Sequence, residues 1–267
     1  MPRRREVTID GLQFAWERDG TPSAARMAER PRPMAYEVGR VLLTLEQAAT
    51  GADERGADVR EGALPAPSTV EVSQLAAISE TEARAALREL LLTGCVARQR
   101  VKLGRQRDFA RWAHGFHLAP AREERGPGRR ARLTQLALIV EPSVPCGDLL
   151  DVLLRRNCLL PAQVVSPWEA RRLLGRLGFE LVVLDADAAS PVGTGPLLEA
   201  MHAAGCGAML WLTPRAAAST AGGYWRHPSA TLSRPFTPQA FDAALSSIGI
   251  GSFDPLAHPR EIEEIGV

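Results

Sequence analysis

The residues best placed to do chemistry close a short apolar run, Phe179–Asp187, which reads FELVVLDAD. Four to five consecutive apolar residues without alternation predict a strand buried on both faces. Such a strand carries Asp185 to the C-terminal edge of its sheet, where open α/β sheets place ligands. A carboxylate at that edge can ligate a hard cation, accept a group as a nucleophile, or pair with a cation of the protein. A second set of candidates is basic. Arg98, Arg100, Lys102, Arg105 and Arg107 fall within ten residues that contain no acid. Arg84 and Arg88 lie four apart, on one face of a predicted helix. Charge of this kind suits phosphate, or equally an acidic protein surface.

Other chemistries find no pattern. The sequence holds no P-loop, no nucleophile elbow and no zinc spacing, so no enzyme is expected. Cys95, Cys146, Cys158 and Cys206 are scattered without a C-x-x-C, which fits a reducing cytoplasm better than a disulfide framework. His114 and His117 lie three apart with no cysteine or carboxylate cluster beside them, and read as ordinary strand or loop residues. No apolar run is long enough to span a bilayer, and MPRRREVTID is not a signal peptide. No cofactor and no membrane partner are expected.

The elements that must position these residues divide the 267-residue chain in two. Residues 1–132 carry 23 Lys+Arg and 18 Asp+Glu, a balance of +5, while residues 133–267 carry 9 and 13, a balance of −4. That asymmetry suggests a basic half facing nucleic acid and a more acidic half facing partners. Lys102 is the only lysine, so arginine richness by itself does not argue for DNA.

The second half alternates strand and helix. Ala137–Val140 breaks at Glu141-Pro142, and Gly147–Arg156 has a helical leucine stripe. Ala162–Val165 is a further strand. Ser166-Pro-Trp-Glu169 opens a helix with an N-cap, a proline and a capping glutamate, which Gly178 ends. Pro196–Ala204 is predicted as a helix, Ala208–Leu212 as a strand ending at Thr213-Pro214, and Ala216–Tyr224 as an interrupted helix. A fifth strand at Thr231–Leu232 leads to Arg234-Pro-Phe236, before a helix capped at Thr237 and running through Leu245. Five such repeats predict a doubly wound, five-stranded parallel sheet.

In the first half, Val7–Trp16 reads as a hairpin around Asp10-Gly11 and Ala35–Ala49 as a helix with Val38, Val41, Leu42 and Leu45 inward. Gly51–Pro67 reads as a flexible loop. Two capping boxes, Ser68-x-x-Glu71 and Ser79-x-x-Glu82, open two helices separated by a tight turn, the second ending at Gly94. Cys95–Lys102 and Phe109–Leu118 form a hairpin, with Leu103-Gly104-Arg105 turning the chain.

The segment 35–119, with VSQLAAISETEARAALRELLLTGCVARQR at its heart, resembles winged helix-turn-helix domains. The resemblance implies that Glu80–Thr93 is a recognition helix in the major groove of double-stranded DNA. Arg84 and Arg88 would meet bases or phosphates, and Ser79 and Thr81 phosphates. The five basic hairpin residues would grip the backbone as a wing. The alternatives are a solvated helix face for the two arginines and a hairpin packed on the acidic half.

Residues 135–248 resemble the receiver domain of response regulators through LIVEP, VVLDAD, WLTP and SRPF. The resemblance puts Glu141 in the acidic pair, Asp185 at the phospho-acceptor, Thr213 at the hydroxyl and Arg234 at the lysine position. The departures argue for a degenerate receiver. Pro142 supplies no Mg²⁺ ligand, an arginine replaces the lysine, and Thr231 stands at the aromatic switch. Asp185 would then be a solvated strand-end carboxylate with Arg234 as a candidate partner, or else a phosphoryl acceptor.

The expected architecture is therefore two domains: an α+β winged helix-turn-helix, then a receiver-like α/β doubly wound five-stranded parallel sheet. The segments are an N-terminal extension (1–34), the winged helix (35–119), a Gly-Pro-Gly linker (120–132), the receiver-like domain (133–250) and a tail (251–267). The expected function is a bacterial-type transcription regulator whose second domain mediates dimerisation or signal input. Phe241 and Leu245 offer themselves for a homodimer contact, or for the core. RNA polymerase or another regulator is a further expected partner. The alternatives are a protein-interaction adaptor or a regulator phosphorylated at Asp185.

Overall fold

The computed structural model describes residues 34–53, 66–106, 109–118, 135–187, 191–214 and 228–250, together with three N-terminal strands, β1 (Glu6–Ile9), β2 (Leu12–Trp16) and β3 (Pro22–Ala24). These three form a small antiparallel sheet, with Ile9 paired to Leu12 across Asp10-Gly11. The expected linker, the tail and the helix at 216–224 lie outside the described residues.

Helices α1 (Ala35–Asp53), α2 (Thr69–Ala76) and α3 (Glu80–Leu92) are followed by the antiparallel strands β4 (Val96–Gln106) and β5 (Phe109–Leu118). Both capping boxes form: Ser68 and Ser79 accept from the backbone of Glu71 and Glu82, whose carboxylates accept from the serine N–H. A left-handed Ala77 turns the chain between the two helices. Ser68 bridges to Gly115, and the Phe116 N–H donates to the Pro67 carbonyl, so the entry to α2 lies along the hairpin. The expected turn at Leu103–Arg105 is an irregularity in register between Lys102 and Gly104, and β4 continues past it to Gln106.

The second half contains β6 (Gln135–Val140), α4 (Val144–Arg156), β7 (Leu159–Val164), α5 (Pro167–Leu174), β8 (Leu181–Asp185), α6 (Pro191–Ala203), β9 (Ala208–Pro214), β10 (Ser229–Arg234) and α7 (Pro238–Ser247). The five strands are parallel, in the order β10-β9-β8-β6-β7. This is the flavodoxin-like order, with β6 and β8 flanking the topological switch point. All five residues of β8 are buried, as a central strand covered on both faces requires. Alternation sorts the strands between the faces. Ala137, Ile139, Val183 and Leu212 pack with Leu149, Leu150, Phe241 and Leu245 of α4 and α7. Leu138, Val182, Leu184 and Trp211 pack with Leu173, Leu197 and Met201 of α5 and α6.

Several helix limits differ from expectation. Helix α1 runs to Asp53, past Ala49 and into the expected loop Gly51–Pro67, most of which lies outside the described residues. Helix α4 begins at Val144 because Ser143 caps it. Helix α5 ends at Gly175 rather than Gly178. Helix α6 starts at Pro191 and carries Pro196 inside, where the missing N–H removes one bond of the helical ladder. Phe241 and Leu245 are fully buried under the sheet and belong to the core, so neither is open to a second copy.

Helix α1 belongs to both halves. Met34 and Ala35 join the core beneath α4, while Val38, Val41, Leu42 and Leu45 join α2, α3, the hairpin and the α5 side of the sheet. From Met34 to Glu46 only Tyr36 and Arg40 are even partly exposed. A helix buried all round is an internal wall. It lies along β7, whose outer edge pairs with no other strand among the described residues. At closest approach Gly39 meets the main chain of Gln163, and a Cβ there would overlap the Gln163 carbonyl oxygen. Ion pairs flank this joint: Arg172 of α5 with Glu46 of α1, and Arg155 of α4 with Glu89 of α3 at 3.0 Å.

Candidate functional site

The C-terminal sheet edge gathers Glu141 after β6, Asp185 at the end of β8, Thr213 in β9 and Arg234 in β10. Parallel strands in register bring these positions together, and the crevice between β6 and β8 leaves room for them. All four are nearly buried, at 1%, 3%, 4% and 7% exposure.

Arg234 dominates the geometry. Its Nη2 donates to Asp185 Oδ1 at 2.6 Å and lies 3.5 Å from Asp187 Oδ2, while Nη1 reaches Glu141 Oε2 at 3.5 Å. The guanidinium therefore stands between the carboxylates of two different strands. Asp185 Oδ1 also accepts from the Asp187 N–H at 3.1 Å, and Glu141 Oε1 accepts from the Ser143 N–H at 2.8 Å. Thr213 Oγ1 lies 3.4 Å from Ser233 Oγ. Asp185 is thus a buried, paired carboxylate and not a solvated one: the arginine offsets the cost of taking it out of water.

Burial raises the pKa of Glu141 above the ordinary carboxylate range, and nearby Asp185 adds to the rise against the Ser143 N–H and Arg234. Burial would lower Arg234, but Asp185 first and then the other acids outweigh it and hold the guanidinium charged. The neighbouring Cys146 thiol is pushed well up by burial and by Glu141, which leaves it inert as a nucleophile.

A divalent cation does not fit this residue set. Mg²⁺ needs several oxygens around an open octahedral position. Here Pro142 contributes none, one oxygen of each inward carboxylate is bonded to backbone N–H, and the guanidinium holds the position between Glu141 and Asp185. Among the described residues no group of three or more His, Cys, Asp or Glu could hold a metal ion.

Sequence reasoning missed Gln163. It is fully buried in β7, and its Nε2 donates to the carbonyls of Glu141 at 2.8 Å and Ser143 at 3.2 Å. A polar residue in an otherwise apolar strand, LLPAQV, is the signal that could have found it.

The basic candidates are dispersed. Ser79 is committed to its capping box, and the Glu82 carboxylate occupies the helix N-terminus where a phosphate would sit. Thr81 and Arg88 are exposed. Arg84 is exposed and paired with Glu80 one turn back. Glu80, Glu82 and Glu89 outnumber Arg84 and Arg88 on α3. Arg98 is exposed on β4. Arg100, Lys102 and Arg105 continue that strand, with side chains outside the described residues, and Arg107 lies outside them altogether.

No protein-family model matches the chain, and no curated protein matches it. Among solved structures it is similar to a response regulator receiver protein from Burkholderia phymatum, at 16% identity and a TM-score of 0.37, over 44% of this chain and 98% of that one. It is also similar to the PhyR stress response regulator, at 12% identity and a TM-score of 0.35, over 88% of this chain and 100% of that one. Likenesses at these scores are weak. The strand order and the placement of Glu141, Asp185, Thr213 and Arg234 give the described residues between 135 and 250 a receiver-like fold.

Proposed function

We propose that this chain is a regulator of response-regulator type that binds double-stranded DNA and whose receiver-like half works without Mg²⁺-dependent phosphorylation. The observation that carries it is the placement of Arg234 between Glu141 and Asp185, which supplies from the protein the positive charge a receiver takes from a metal. A phosphoryl group on Asp185 would have to displace its 2.6 Å bond to Arg234. Incubation with a small phosphodonor and Mg²⁺, followed by intact mass, tests this: no mass gain is expected. A gain that disappears in Asp185→Ala overturns it.

The DNA part of the reading is supported by three helices leading into a hairpin that carries Arg98, Arg100, Lys102 and Arg105, with Arg107 in its connection. Because α3 carries more acid than base, the wing rather than α3 supplies most of the phosphate contacts. Binding to random duplex DNA, followed by anisotropy across a salt series, is expected to weaken linearly with log salt. Arg98→Ala should reduce the slope by about 0.9, one phosphate contact, and Arg88→Ala by less. Absence of binding at low salt overturns the DNA reading.

The adaptor reading then leads, and one observation favours it. Val70 and Leu75 on α2 and Leu92 on α3 are exposed at 47%, 61% and 75%, side chains that suit contact with a protein better than with phosphate. A homodimer remains part of the proposal, through surfaces other than Phe241 and Leu245. Sedimentation of the full chain measures it.

A further inference from the structure

We propose that Gln163 couples the Glu141–Arg234–Asp185 cluster to helix α1, so that a change at the cluster is felt where the two halves join. The inference stands apart from DNA binding and needs no ligand to be identified.

Gln163 faces two ways. Its side chain points to the α4 side of the sheet, where Nε2 ties together the carbonyls of Glu141 and Ser143. Those residues form the loop that holds the Glu141 carboxylate and caps α4. Its carbonyl lies in the plane of the sheet and points off the edge of β7. The Val164 carbonyl accepts from Glu141 N–H at 3.0 Å, inside the sheet. Successive carbonyls along a strand alternate in direction, so that of Gln163 leaves the open edge and abuts Gly39 of α1. One residue thus touches the site loop with its amide and the shared helix with its backbone.

The fit on both sides is tight. A Cβ on Gly39 would overlap the Gln163 carbonyl, and a Cβ on Gly147 would overlap the Gln163 side-chain amide. Displacement of the loop therefore cannot be absorbed by slack and moves the strand against α1. The chemistry of the side chain points the same way. Gln163 Oε1 is buried and has no hydrogen-bond partner among the described residues. An unsatisfied buried carbonyl is unfavourable, and a leucine of similar volume would avoid it. Stability alone does not explain a glutamine here, whereas its two Nε2 bonds to the site loop do.

Hydrogen–deuterium exchange of the full chain tests the coupling from both ends. Asp185→Asn weakens the grip of Arg234 at the site. It should speed exchange in residues 141–147 and, by about fivefold, in α1 residues 38–46. In a Gln163→Leu background the response at 141–147 should persist and that in α1 should vanish. Coupling is reciprocal, so Gly39→Ala should speed exchange at 141–147, and it probes the joint even where Gln163→Leu does not fold. An α1 response that survives Gln163→Leu overturns the proposal. So does an α1 that ignores Asp185→Asn while 141–147 responds, or a loop that ignores Gly39→Ala.

Discussion

Arg234 and Arg155 are both nearly buried, and each lies between carboxylates drawn from different elements. Arg234 joins β10 to the ends of β6 and β8 within one sheet. Arg155 holds Asp151 on its own helix at 2.9 Å and Glu89 on α3 at 3.0 Å, across the joint between the halves. Carboxylates raise the pKa of both arginines against the opposing pull of burial. The difference lies in exposure. Glu141 and Asp185 are both buried beside Arg234, and burial first, with Asp185 adding to it, leaves Glu141 with a raised pKa. Beside Arg155, Asp151 is buried but Glu89 keeps a quarter of its side chain in water. The same device shuts one set of carboxylates away from water and leaves the other partly open to it.

Replacing each arginine by methionine should separate them. Arg234→Met leaves Glu141 and Asp185 facing each other without a cation, and a loss of about 4 kcal/mol is expected in denaturant unfolding. Arg155→Met should cost about 2 kcal/mol, because water screens Glu89. Equal losses would break the comparison. The smallest effect is a pH dependence. The folded protein holds the Glu141 proton more tightly than the unfolded chain, so stability should fall as pH rises above about 4.5, the ordinary value for this group. Glu141→Gln should flatten that part of the profile. An unchanged slope would mean that Arg234 compensates Glu141 fully.

The sequence showed the sheet more clearly than the site. FELVVLDAD, AMLWL and the capped helices carry local signals, namely unbroken apolar runs and Ser or Thr before Pro, so their order could be read. The convergence of Asp185 with Arg234 followed from that order. Whether Asp185 was solvated did not, since burial at a sheet edge depends on side chains 49 residues apart in the chain. Phe241 and Leu245 fit a dimer surface and a core equally well by spacing, and only the helix's rotation against the sheet decides. Gln163 and Gly39 could not be paired, because neither belongs to a local pattern. Their contact depends on α1 packing on a strand more than a hundred residues later.

That last contact bears on how the chain folds. Helix α1 leaves the ribosome long before β7 does, and until the strand arrives one flank of the helix has nothing to cover it. The sheet in turn cannot shield its own outer strand from another chain's backbone. Final assembly waits on contacts distant in sequence, which form slowly. A nascent chain stalled between the halves would carry an open apolar flank and be prone to aggregate.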